Sequence, residues 1–447
     1  MISAPVPGQL SVSVIGCGYL GAVHAATMAE MGHHVVGLDV DGARIAALNT
    51  GVAPFYEPGF GDLLAAGLDS GRLSFTQDPS RVADCDVHFL CLGTPQRDDG
   101  LGADLSYIDS ALDHLIPFLE RREAPAIVVG KSTVPVGTAR AIHGRLAPIP
   151  GVDLLWNPEF LREGTAVQDT LRPDRLVYGT ASAGEDATTA MLDQVYRSII
   201  DHGSPRLIMS FESSELVKVS ANSFLATKTS FINAIAELCD SSGADVSDVA
   251  AAIGLDDRIG PKFLRAGIGF GGGCLPKDLR AVISRAGELG ASDSFGFLRE
   301  VDAINMGRRE YVLRLARSAL DGRLEGRRVA VLGAAFKPHT DDIRDSPALD
   351  IALRLHGEGA SIVVTDPAAL DAVHQRHPGL PTVPTADEAL RGAELVLLLT
   401  EWEEYTTLDP AAGAALTSRP LILDGRGALD LPRWRKAGWE CIALGRP

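Results

Sequence analysis

The ten residues GFGGGCLPKD, from Gly269 to Asp278, bring a thiol, a cation and a carboxylate together on a backbone with few side chains. A thiolate is a strong nucleophile once its pKa falls toward neutrality. Lys277 supplies positive charge near Cys274, and a helix opening after Pro276 would add its N-terminal dipole. Asp278 stands four residues past Cys274, so one helical turn would bring both to one site. The glycines would let a planar or polar substrate lie on bare backbone. A lone cysteine is ordinarily a small core residue; its setting among Gly271, Gly272, Gly273 and Lys277 favours the nucleophile.

A second motif supplies an oxidant. The apolar run Val12 to Ile15 leads into Gly16-x-Gly18-x-x-Gly21, then a small-residue helix, then a strand, Val35 to Leu38, ending at Asp39. Gly16 permits a tight turn, Gly18 a close approach to a pyrophosphate, and Gly21 close helix–strand packing. The free N–H groups of the helix start face the phosphates. Asp39 would accept the ribose hydroxyls and repel a 2′-phosphate, favouring NAD over NADP. A nicotinamide beside a nucleophilic thiol defines a reaction class: an aldehyde adds the thiol, loses hydride to give a thioester, and water releases an acid.

Other pairs are open to two readings. Lys218 and Asn222 are spaced i, i+4 on one helix face and could direct donors at an oxyanion, or form a solvated face and a helix contact. Glu159 and Glu163 could share proton transfer, or cap a helix start. Thr94 and Thr133 follow apolar strand runs (Asp86 to Pro95 and Ala126 to Thr138) and would face a cofactor crevice, or serve as turn caps.

These residues require elements to position them. The first third reads as a doubly wound α/β domain. From about Phe211 one long helix runs to a stop at Gly243, with Leu216, Val219, Phe224, Ile232, Ile235 and Leu238 among its apolar positions. Shorter helices follow to about Leu320. The last third is α/β again, with Gly333 alone where the first domain has three glycines. The fold class is therefore α/β: two doubly wound (Rossmann-like) domains joined by a long central helix. The divisions fall at 1–209, 210–320 and 321–447. That is in keeping with 447 residues, about two or three domains by length.

The net charge of −17 argues against nucleic acid or an anionic membrane as partner. Six scattered cysteines without a C-x-x-C pair read as reduced cytoplasmic thiols. The opening MISAPVPGQL lacks the pattern of a secretory leader, and no apolar run approaches the roughly 18–20 residues of a membrane span. The eleven histidines show no metal-ligand spacing, so no metal is expected.

The motifs VIGCGYLG, GTP, KSTVPVGT, NPEFLREGTA, ELVKVSANSFLATK, RIGPKFLRAGIGFGGGCLPKD, GAAFKPHTDDIRDSP and DGRGALD occur in the order found in the UDP-glucose/GDP-mannose dehydrogenase family, which the chain resembles over nearly its whole length. The resemblance implies an NAD-binding domain, a central helical dimerisation region, a C-terminal UDP-binding domain and a homodimer. It implies a four-electron oxidation of UDP-glucose at C6, with Cys274 as nucleophile. Lys218 and Asn222 would stabilise the oxyanion and Asp278 would act with a water. Thr133 and Glu163 would support that water and the cofactor. Gly16, Gly18, Gly21, Asp39, Arg44, Thr94, Lys277 and Arg344 would contact NAD. The loop Glu159, Phe160, Leu161, Arg162 and Glu163 would contact the sugar nucleotide. The run Phe263, Leu264, Arg265, Ala266 and Gly267, with Gly271, Lys337 and Arg426, would hold it as well. Arg258 would cross to a partner's substrate. Family members often carry Ser or Tyr at Gly273, and animal members Phe at Leu275, which leaves a GDP-mannose or other nucleotide-sugar oxidation as the alternative. A non-catalytic sensor on the same scaffold should have lost the thiol, lysine or carboxylate; all three remain.

Overall fold

A computed structural model describes residues 9–446; most of the opening stretch read for a leader lies outside them. Two compact units emerge, Met1–Ala221 with Arg280–Glu288, and Asn222–Leu279 with Leu289–Pro447.

The first unit is built on an eight-stranded sheet, β1 (Ser11–Ile15), β2 (His34–Leu38), β3 (Leu73–Thr76), β4 (Val87–Leu90), β5 (Ala126–Gly130), β6 (Val152–Trp156), β7 (Leu176–Thr180) and β8 (Arg206–Ser210), in the order β3-β2-β1-β4-β5-β6-β7-β8. Every pairing is parallel except β6 with β7. The central strands VHFL and AIVVG are buried throughout, as continuous apolar strands covered on both faces must be. The order reverses between β1 and β4, so the ligand crevice of such a sheet lies beyond their carboxyl ends. The two apolar runs leave the sheet earlier than their composition indicated, at Leu90 and Gly130. Thr94 and Thr133 consequently sit on loops beyond that edge.

The central helix spans Phe211–Ser242, and Gly243 ends it with φ +79°. Its first turn is seated on the sheet because Gly179 of β7 has no side chain: a Cβ there would lie 2.1 Å from Ser214 Oγ. The helix does not bury one apolar stripe. Val219 and Ile232 are buried, whereas Leu216, Phe224 and Leu238 are exposed, together with Phe231.

The second unit carries a parallel sheet of β9 (Arg328–Leu332), β10 (Ser361–Thr365), β11 (Leu395–Leu398), β12 (Leu421–Asp424) and β13 (Glu440–Ala443), in the order β10-β9-β11-β12-β13. This is the other common doubly wound order. Asp366, just past β10, stands where Asp39 stands past β2. Its carboxylate is 2 % exposed and accepts from the N–H groups of Ala334, Ala335, Ala368 and Ala369 at 2.8–3.0 Å. That acid ties the β9 turn to the segment after β10.

Candidate active site

In the first unit the glycine turn fits a dinucleotide. Gly16 has φ +90°, and a Cβ at Gly21 would lie 1.7 Å from the Gly16 carbonyl oxygen, so neither position admits a side chain. Gly18 faces open space and caps the helix Tyr19–Glu30 without a side-chain hydrogen bond. The helix start thus keeps N–H groups for a phosphate. Asp39 already has partners within the protein: Oδ2 accepts the Cys17 N–H at 2.7 Å and the Arg44 guanidinium at 3.0 Å, and Oδ1 accepts the Asp41 N–H. Thr94 Oγ1 donates to the Thr133 carbonyl at 2.7 Å, joining the two loops beyond β4 and β5.

The segment Asn157 to Glu163 is pinned at both ends by residues to which the sequence reading gave no role. At its start, buried Lys131 donates to Asn157 Oδ1 at 3.0 Å, and burial pushes its ammonium down to about 8. At its end, buried Glu57 accepts from the N–H groups of Gly164 and Ala166 at 2.6 and 2.7 Å. The Tyr19 hydroxyl, on the glycine-turn helix, donates to the same carboxylate, and burial beside it keeps that phenol protonated. Between these pins Glu159 Oε1 pairs with Lys218 Nζ at 3.0 Å while Oε2 accepts the Leu161 N–H. Lys218 is 5 % exposed, so the solvated-face reading fails. Phe160 receives Arg175 over its ring at 3.9 Å. Arg162 is exposed and bidentate to Asp169, and Glu163 is half-buried in the loop.

In the second unit Cys274 is exposed, and its carbonyl accepts the Asp278 N–H at 2.9 Å. The helix begins at Leu275, earlier than Pro276 implied, because proline in a first helical turn forfeits no hydrogen bond. Asp278 is 1 % exposed, with Asn222 Nδ2 and Lys277 Nζ each 2.7 Å from one of its oxygens. The lysine charge is thus directed at the Asp278 carboxylate.

The glycine loop is gripped by side chains with no local sequence signal. Asn305 takes the Phe270 N–H at 2.7 Å and donates to its carbonyl at 3.1 Å. Arg308, fully buried, donates to the Gly267 carbonyl, and Asn233 accepts the Gly267 N–H. Within Phe263 to Gly267, Leu264 and Ala266 pack into a small core with Ile232 and Ala236, while Phe263 and Arg265 are exposed. The reading that the glycines clear space for substrate needs correction. A Cβ at Gly271, Gly272 or Gly273 would meet the Asp345 carbonyl oxygen at 2.3 Å, the Phe336 ring at 2.8 Å or the Arg344 guanidinium at 2.4 Å. The protein's own loop fills those spaces. Arg344 is bidentate to Asp342, and the Lys337 ammonium lies 5.5 Å over the Phe336 ring. Arg426 donates to the carbonyls of Leu399 and Phe336, a strut within this unit. Arg258 pairs with Asp256 and is 88 % exposed.

Three family models match in order: the NAD binding domain of the UDP-glucose/GDP-mannose dehydrogenase family over residues 10–200, its central domain over 212–307 and its UDP binding domain over 330–431. The chain is 39 % identical to a UDP-glucose 6-dehydrogenase of Rhizobium meliloti, across 98 % of this chain and 100 % of that protein. It is 38 % identical to the UDP-glucose 6-dehydrogenase YwqF of Bacillus subtilis, across 98 % of each. A solved structure of a UDP-glucose dehydrogenase from Pyrobaculum islandicum superimposes with a TM-score of 0.88 at 36 % identity, covering 99 % of both chains. With three ordered domain matches and relatives similar along their full length, the chain belongs to the UDP-glucose/GDP-mannose dehydrogenase family.

Proposed function

We propose that the protein oxidises UDP-glucose to UDP-glucuronate with two NAD per turnover. The observation that carries this reading is an exposed thiol at the start of a helix, one turn before a buried carboxylate that Asn222 and Lys277 hold. Full-length likeness to UDP-glucose 6-dehydrogenases supplies the substrate.

Bound NAD supplies the hydride acceptor for both oxidations. The rest falls to this chain's residues. The C6 alcohol gives up a hydride and its hydroxyl proton, leaving an aldehyde. The Cys274 thiolate forms a C–S bond to that carbon, and the oxygen takes a proton. Loss of a second hydride and of the hydroxyl proton leaves a thioester. Water adds, the C–S bond breaks, the thiolate departs and a carboxylate remains. The balance is one alcohol, two NAD⁺ and one water to one carboxylate, two NADH and three protons. Lys218 and Asn222 would stabilise the oxygen that becomes anionic. Asp278, Thr133 and Glu163 would order the water, and Glu159, which pairs with Lys218, would be a second proton carrier. Gly16, Gly18, Gly21, Asp39, Arg44, Thr94, Lys277 and Arg344 would hold NAD. The loop 159–163, the run 263–267 and Lys337 would hold the sugar nucleotide, and Gly271 and Arg426 would act behind them, the first by admitting the Asp345 carbonyl and the second as a strut. Functional segments of 1–209, 210–320 and 321–447 follow from this assignment.

A cytoplasmic homodimer completes the reading. Phe224, Phe231 and Leu238 recur every seven residues on the central helix and are 66, 51 and 64 % exposed, an apolar face suited to a second copy. Arg258 would serve the partner's site. Five cysteines are buried or half-buried and unpaired, in keeping with a reducing compartment. The deciding experiment measures NADH and product with a panel of nucleotide sugars. Two NADH per UDP-glucose, with no free aldehyde, is expected; a clean ratio of one, or preference for GDP-mannose, overturns the reading.

A further inference from the structure

One buried carboxylate outside the proposed chemistry ties two of its parts together. Glu215, 2 % exposed, lies in the first turns of the central helix. Its oxygens accept the N–H groups of Gly137 and Ala139 at 2.7 and 2.6 Å. These belong to the start of the helix Thr138–Leu146, where backbone donors lack intrahelical partners. In a dry site such charge-assisted bonds are short and directional.

What the carboxylate joins matters. Lys218 follows it by three residues, on the same flank of the helix. A small rotation there would move the Lys218 ammonium against Glu159, its partner at 3.0 Å. On the other side, Gly137 is four residues past Thr133, whose carbonyl is held by Thr94. Arg285 grips the same loop by donating to the Val136 carbonyl at 3.0 and 2.8 Å, and it belongs to the helix that begins beside Cys274.

We propose that Glu215, as a carboxylate, is the positioning residue that holds Lys218 and the Thr133 loop in register, setting turnover without touching substrate or cofactor. The proposal rests on the roles given above to Lys218 and Thr133. Protonation would leave one oxygen as a hydroxyl, a poor acceptor for the second N–H, and loosen one side of the clamp. Burial pushes this carboxyl up to about 7, against the lowering effect of its two N–H donors. The charged groups around it are Arg285, Glu212 of its own helix, and Arg140 of the capped helix, which Glu212 holds.

The sign of the linkage gives a signature. The folded carboxyl titrates above its ordinary 4.5, so the folded state keeps a proton that the unfolded state releases between 4.5 and about 7. This group therefore removes stability as pH rises through that window, while the register it holds raises turnover.

The test compares full-length wild type, Glu215→Gln and Glu215→Asp by NADH formation with UDP-glucose from about pH 5.5 to about pH 9, alongside amide hydrogen exchange over residues 133–139. In wild type, kcat should rise through a limb near 7 and the 133–139 amides should exchange slowly. Glu215→Gln should lower plateau kcat at least about tenfold per alkylatable Cys274, with both KM values within about twofold. It should lose the limb, flatten the fall of Tm across the same window and speed the exchange. Glu215→Asp should fall between and keep the limb, which preserves the test if the glutamine variant folds poorly. Wild-type kcat, limb and exchange in Glu215→Gln would overturn the proposal, as would a loss explained wholly by fewer active sites. Wild type inactive on UDP-glucose, with exchange still slow there and fast in Glu215→Gln, would overturn the substrate assignment alone.

Discussion

Asn222 Nδ2 donates to Asp278 Oδ2 at 2.7 Å while Lys277 takes the other oxygen, so a carboxylate 1 % exposed is held by one neutral and one charged donor. Removing the amide in Asn222→Ala leaves a buried oxygen without its donor, which costs about 1–3 kcal/mol. We expect a lowered Tm and a fall in kcat of at least about tenfold. Asn222→Asp replaces the donor by a second carboxylate, whose repulsion favours uptake of a proton by the pair. Its kcat–pH profile should shift toward alkali; an unshifted profile would remove Asp278 from the proton path.

Cys274 is the exposed thiol among six. Burial raises the pKa of Cys17, Cys85, Cys239 and Cys441, and pushes Cys91 to about 12. Iodoacetamide should therefore modify Cys274 first, with UDP-glucose protecting it; peptide mass spectrometry reads the order. Cys274→Ala should still bind both ligands but release no UDP-glucuronate. Acid formed at the wild-type rate would exclude the thioester.

Lys218 forms a buried pair with Glu159. Lys218→Ala should lower kcat by roughly 100-fold as an oxyanion donor. It should also lower stability, since the largely buried Glu159 carboxylate loses its cation and keeps only the Leu161 N–H. The double variant Lys218→Ala/Glu159→Ala should regain stability without regaining turnover. Thermal melts and steady-state kinetics on the three proteins separate the two effects.

Asp39 restrains Arg44 at 3.0 Å. Asp39→Ala removes the group that repels a 2′-phosphate and frees a guanidinium able to bind one. The ratio of kcat/KM for NAD over NADP should fall at least about tenfold. Equal use of both cofactors by wild type would displace Asp39 from the ribose.

Phe231 lies at the middle of the exposed central-helix face. Phe231→Glu should convert a dimer to a monomer in light scattering, because a charge would then be buried at the interface. A wild-type monomer at micromolar concentration would refute the homodimer.

Much of this molecule was legible without coordinates, for a physical reason. The glycine turn, the strands and the central helix with its Gly243 stop are local: backbone sterics and apolar periodicity act over a few residues, so their signal lies in adjacent letters. The cysteine loop was legible too, because Cys274 and Asp278 are one helical turn apart. Other features were decided by residues distant in sequence. Nothing beside Glu57 says that it accepts the N–H of Gly164, 107 positions away. Glu215 gives no sign that Gly137 and Ala139 saturate it, nor Asn305 that it brackets Phe270. The glycines of GFGGGC show the limit most clearly. From the sequence the glycines read as room for a substrate on bare backbone. Tertiary structure decided what fills that room, the Asp345 carbonyl, the Phe336 ring and the Arg344 guanidinium, because long-range packing determines which atoms occupy a space that local sequence only leaves open.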